Sequence, residues 1–133
     1  DALAEPWQDK NIDYVAAIEA RGFIFGTAVA KALNAGFIPI RKPGKLPHFI
    51  ESAHYELEYG SDSLEIHKDA CARGSSVLIV DDLLATGGTM AAACELIEAI
   101  GAEVAGLAFL IELGPLGGRK KLAQYPTHTV LTY

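Results

Sequence analysis

Apolar and polar positions along the chain fall into two kinds of block: short runs that are apolar at nearly every residue, and longer stretches with helical spacing. IDYVAAIEA (12–20) reads as a buried strand. Residues 22–33 read as a helix with Phe23, Ala30 and Leu33 at core spacing, stopped by Gly36, and FIPI (37–40) as the next strand. RKPGKLPHFIESAH (41–54) has no periodicity and is rich in Pro, Gly and Lys, which predicts a long mobile loop. YELEY (55–59) and SLEIHKD (63–69) alternate apolar and polar residues around residues 60–62, a hairpin pattern.

After a turn at CARGSS (71–76), SVLIVDD (76–82) has the composition of a strand covered on both faces. A helix is predicted from Gly88 or Thr89 to Ile100, closed by Gly101. EVAGLAFLIEL (103–113) is another buried strand, LGGRKKLA (116–123) a short helix and HTVLTY (128–133) a last strand. Strands alternating with helices predict an α/β fold, a central mostly parallel sheet flanked by helices, with right-handed crossovers. Ligands of such sheets bind beyond the carboxyl ends of the strands, here after Ala20, Ile40, Asp82 and Leu113.

At 133 residues the chain suffices for one domain with a real core, and half of it is hydrophobic. The apolar runs are strand-sized, too short to span a bilayer, and DALAEPWQDK (1–10) lacks the basic-then-apolar order of a secretion signal. Cys71 and Cys94 are too few for a disulfide framework and read as reduced, buried thiols of a cytoplasmic protein. A net charge of −6 argues against a nucleic-acid surface. The basic residues cluster, however, in RKPGK (41–45) and at 119–121. The first cluster suits a small anion, and the second reads as a solvated helix face. His48, His54, His67 and His128 lack metal-ligand spacing and read as loop or surface histidines, and Trp7 reads as a core or interface anchor.

The chemistry concentrates in VLIVDDLLATGGTM (77–90). Four apolar residues drive a strand, two carboxylates follow, and Ala85, Thr86, Gly87, Gly88 and Thr89 turn into a helix. Small residues let backbone approach a ligand, successive N–H groups converge on an anion, and the helix N-terminus adds its dipole. The Gly-Lys-Ser/Thr ending of a nucleotide P-loop is missing, as is GxGxxG. Asp81 and Asp82 would repel a phosphate they touched; they suit hydroxyl groups one sugar-length away, or a divalent metal. A pentose 5-phosphate satisfies both halves.

This stretch resembles the donor-binding motif of the type I phosphoribosyltransferases. EARGFIFG (19–26), IRKPGKLP (40–47), YELEYG (55–60), LEIHKDA (64–70) and VDDLLATGGTM (80–90) follow in family order and are most similar to the members that use adenine. The resemblance implies a single phosphoribosyltransferase domain over 1–133 of type I fold, with a flexible loop and hairpin over the site. It implies transfer of the 5-phosphoribosyl group of phosphoribosyl pyrophosphate to adenine, giving AMP and pyrophosphate, with Mg²⁺ held mainly by pyrophosphate and ribose hydroxyls. Ala85, Thr86, Gly87, Gly88 and Thr89 would hold the 5-phosphate, and Asp81 and Asp82 the ribose hydroxyls. Arg21, Arg41, Lys42 and Lys45 would face the pyrophosphate, with Arg41 reaching across a homodimer interface and a strained peptide near Ala20 and Arg21. Glu58 would hydrogen-bond the purine, and Tyr59 would help to close the loop.

The family's N-terminal Phe-Pro…Gly-x-x-Phe-x-Asp segment, which helps to select adenine, has no match in residues 1–12. A partly represented purine pocket, and weakened or absent activity of these residues alone, are therefore expected. Two alternatives stay open: a phosphoribosyltransferase for another base such as xanthine, or a non-catalytic sensor of phosphoribosyl pyrophosphate. The acidic balance and the presence of Glu58 and Tyr59 weigh against the sensor.

Overall fold

The computed structural model describes residues 2–19, 21–41, 50–57 and 60–133, with backbone alone at 50–57 and 60–63. Strands β1 (Tyr14–Ile18), β2 (Gly36–Ile40), β5 (Ser76–Leu84), β6 (Glu103–Glu112) and β7 (Thr127–Thr132) form a five-stranded sheet in the order β2-β1-β5-β6-β7, parallel throughout. Strands β3 (Ile50–Leu57) and β4 (Gly60–His67) pair separately as an antiparallel hairpin. An isolated bridge between Arg41 and Glu65 ties this hairpin to the end of β2.

The period-two geometry of a strand divides its side chains between two cores. Val77 and Ile79 of β5 join Ala16, Ile18, Leu107 and Phe109 on the face covered by helix α2 (Gly88–Ala99) and by Leu64 and Ile66 of the hairpin. Leu78 and Val80 face the other way, with Val15 and Ala108, under Val29 and Ala30 of helix α1 (Arg21–Leu33) and Leu3 and Trp7 of the N-terminal segment. Burial on both faces is why β5 reads as an unbroken apolar run.

Helix α1 lies close to the sheet because Gly26 faces Ala17; a Cβ at Gly26 would overlap the Ala17 methyl. Trp7 fits against β6 in the same way, in space that a side chain at Gly106 would fill.

Several predicted boundaries shift. Helix α1 is stopped by Asn34, not Gly36: Asn34 takes the left-handed conformation (φ 54°), Ala35 N–H returns to the Ala30 carbonyl at 2.9 Å, and Gly36 opens β2. The predicted loop ends earlier than expected, since β3 begins at Ile50. Residues 60–62 lie inside β4, and the ladder closes at Leu57 opposite Gly60. The predicted helix at 116–123 is a 3-10 turn (Gly114–Leu116) followed by the four-residue α3 (Gly118–Lys121). Residues 119–121 are exposed, as expected of a solvated face, but the Arg119 guanidinium is also held by Glu112, Thr127 and Thr129. His67 and His128 are half-buried strand residues rather than loop residues.

Candidate active site

The strand order reverses direction between β1 and β5: the α1 crossover leads to β2 on one side, and the α2 crossover leads to β6 on the other. Loops diverging from such a switch point leave a crevice at the carboxyl end of the sheet. The residues flanking it are Arg21, first in α1, and the pair Asp81 and Asp82 in β5.

The acid pair sits within the strand rather than at its end, for β5 continues two residues further than predicted, and Leu84 pairs with Glu112. The Asp82 backbone N–H donates to Asp81 Oδ1 at 2.8 Å, which orients the Asp81 carboxylate against its own strand. Asp81 lies under the first turn of α1, where a Cβ on Gly22 would come within 3.0 Å of Oδ1. The small residues that seat α1 on the sheet thus also bring its N-terminus onto Asp81. The Arg21 guanidinium approaches Asp82 Oδ2 at 3.8 Å but remains 84% exposed. So loose a surface contact leaves Arg21 able to meet an anion.

Beyond Leu84, residues 85–87 bend into α2. Gly87 is the N-cap in the left-handed region (φ 89°), where a side chain is strained, and its carbonyl accepts the Ala91 N–H at 2.9 Å. No side chain caps this end and no acid occupies the first turn. The opening amides of a twelve-residue helix are therefore not taken by a cap, the condition for binding an anion. Met90 and Ala93, buried behind them, anchor the helix.

Arg41 is folded back on its own chain. Its Nε lies 3.6 Å from Glu19 Oε1, its guanidinium carbon is 5.6 Å from the Phe23 ring centre, and Phe23 meets Phe37 edge-on. The structure thus brings Arg21, Asp81 and Asp82 together at the carboxyl end of the sheet, where residues 85–87 lead from β5 into α2, with Arg41 at the end of neighbouring β2. Lys42, Lys45, Glu58 and Tyr59 lie outside the described residues, as does Ala20.

Burial pushes the Cys94 thiol up to about 12, and burial also raises Cys71, so neither is a ready thiolate at neutral pH. Two residues escaped the motif reading: Gly22, whose lack of a side chain admits Asp81, and Gly118, whose Cα lies against the Ala85 carbonyl. The Gly-Gly pair at 117–118 was the available signal for the second.

The phosphoribosyl transferase domain model matches residues 2–129. Adenine phosphoribosyltransferase of Rhodopirellula baltica is 59% identical over the whole chain, which spans 65% of that relative's length. The Saccharomyces cerevisiae adenine phosphoribosyltransferase complexed with an imino-altritol bisphosphate and adenine superposes with a TM-score of 0.91 at 50% identity, over 97% of this chain and 73% of that one. The Trypanosoma brucei enzyme in complex with AMP, pyrophosphate and ribose 5-phosphate gives 0.86 at 27% identity, over 98% and 62%.

Proposed function

The chain belongs to the phosphoribosyl transferase family, among its adenine phosphoribosyltransferases, and from that premise we propose that it transfers the 5-phosphoribosyl group of phosphoribosyl pyrophosphate to adenine, releasing AMP and pyrophosphate in purine salvage. The observation that carries this reading is the uncapped amino end of α2, which follows the strand that carries the Asp81 and Asp82 pair. It offers one place for a phosphate and another for hydroxyls. The ligands of the yeast and trypanosome relatives, adenine in one and AMP, pyrophosphate and ribose 5-phosphate in the other, support the same substrates here.

In this reading Ala85, Thr86, Gly87, Gly88 and Thr89 hold the 5-phosphate, and Asp81 and Asp82 accept hydrogen bonds from the ribose hydroxyls. Arg21, Arg41, Lys42 and Lys45 face the pyrophosphate. Glu58 holds the purine, and Tyr59 helps to close the site. Departure of pyrophosphate leaves positive charge on the ribose ring, so most of the acceleration comes from alignment and from neutralising the leaving group.

The donor set fits Mg²⁺. Among the described residues no three His, Cys, Asp or Glu side chains group to hold a metal, and two neighbouring carboxylates suit an ion that keeps most of its oxygens from water and substrate. When bound, it would supply charge neutralisation on the pyrophosphate. Residues 1–133 act as one domain and as a homodimer, as the family resemblance suggests, and in the cytoplasm, where reduced thiols such as those of Cys71 and Cys94 persist.

Pyrophosphate release by the full-length protein, with phosphoribosyl pyrophosphate and Mg²⁺ and with adenine, hypoxanthine, guanine or xanthine, tests the reading. Adenine should exceed each other base by about 10,000-fold in kcat/KM, as expected where buried polar groups read the base edge. Chelating Mg²⁺ should suppress turnover. Preference for xanthine, or donor binding without release for any base, would contradict the proposal.

A further inference from the structure

The phosphate turn has a second wall. Glu112 ends β6 opposite Leu84, with its side chain only 9% exposed. Arg119 Nη2 donates to Glu112 Oε1 at 2.7 Å, and Nε donates to both carboxylate oxygens at 3.2 Å. The same guanidinium donates from Nη1 to the Thr127 carbonyl at 3.1 Å, and the Thr129 hydroxyl donates to Glu112 Oε1 at 3.3 Å. One ion pair therefore ties the end of β6, the start of α3 and β7 together.

Between the partners, residues 113–118 are pinned against the turn. The Leu113 N–H donates to the Leu84 carbonyl at 2.8 Å. Gly118 sits so close that an added Cβ would collide with the Ala85 carbonyl oxygen and come within 2.7 Å of Leu84 Cδ1. From the other side, a Cβ on Gly87 would lie 3.0 Å from the Gly118 carbonyl oxygen. Backbone thus packs on backbone along the outer side of the phosphate turn.

A glycine-rich turn loses much conformational freedom when it orders around a ligand, and a preformed wall removes that cost before binding. Stability alone is a poor reason for the pair, since the Arg119 side chain remains 46% exposed and so open an ion pair contributes little. We infer that Glu112 and Arg119 are positioning residues: they clamp the 113–118 segment as a buttress that holds residues 85–88 in their phosphate-binding shape.

The inference rests on the phosphoribosyl reading, and its test separates the two. Arg119→Lys keeps the charge beside Glu112 but loses the planar fork. It should raise KM for phosphoribosyl pyrophosphate about 10-fold and leave kcat and KM for adenine within about 2-fold, because misplacement touches donor binding alone. Ribose 5-phosphate, titrated calorimetrically, should lose affinity by the same factor. Glu112→Gln, which keeps the side chain's shape but loses the charge that holds the Arg119 fork, should repeat this donor-selective loss and decides the matter if Arg119→Lys does not fold. Unchanged ribose 5-phosphate affinity in the folded variants, or a parallel rise of both KM values, overturns the buttress. Failure of the unmutated protein to bind ribose 5-phosphate would instead overturn the phosphoribosyl reading.

Discussion

The charge of Glu112 depends on its surroundings. Hydrogen bonds from Arg119 hold its carboxyl below the usual glutamate range, outweighing the opposing effect of burial. The folded-state pKa is therefore lower than the unfolded one. The pair stabilises the fold fully above the unfolded value of about 4, and that contribution drains away as pH falls through the lower, folded value. Thermal midpoints of the protein and of Arg119→Met should differ most near neutral pH and converge in acid; a gap that does not narrow would show that Glu112 carries no such linkage. Arg119 illustrates what local reading misses: Arg119, Lys120 and Lys121 look alike in sequence, and only a partner on another strand singles out the first. The acid pair and the small-residue turn were legible because their chemistry is contiguous in the chain. The closeness of Gly22 to Asp81 was not, because it depends on how deeply α1 seats on the sheet.

Elements were readable where both faces of a strand are covered, as in β5 and β6, because burial leaves an uninterrupted apolar run. The start of β3 was not, since its first residues follow a Pro- and Gly-rich stretch that masks any period. The helix stop was misplaced by two residues because Asn34, like glycine, tolerates the left-handed conformation. The N-terminal 3-10 turn (Glu5–Trp7) docks through Trp7, whose indole N–H finds no hydrogen-bond partner among the described residues, so packing holds it. Gly106→Ala should overpack this contact and cost about 1–3 kcal/mol in denaturant unfolding, while leaving the distant phosphate turn functional. A midpoint like that of the unmutated protein would mean that Trp7 is not seated against β6.

For the whole molecule, strand order matters more than any single residue. The reversal between β1 and β5 sets Arg21 beside the acid pair, and the α2 crossover brings a helix N-terminus to the same edge. Alternation of strands and helices predicted a parallel sheet with its ligands at that edge; the order of the strands is a tertiary fact that no local pattern encodes. The free hairpin, packed beside α2 and bridged to Arg41, is the part of the architecture least determined by the sheet itself. In the proposed reaction, residues 85–89 receive the donor's phosphate. Titrating ribose 5-phosphate into isotope-labelled protein and following the backbone amides by NMR tests it most directly. The largest saturable shifts should fall on Thr86, Gly87, Gly88 and Thr89, with smaller ones at Asp81 and Asp82; shifts centred elsewhere, or none in the turn at saturation, would contradict it.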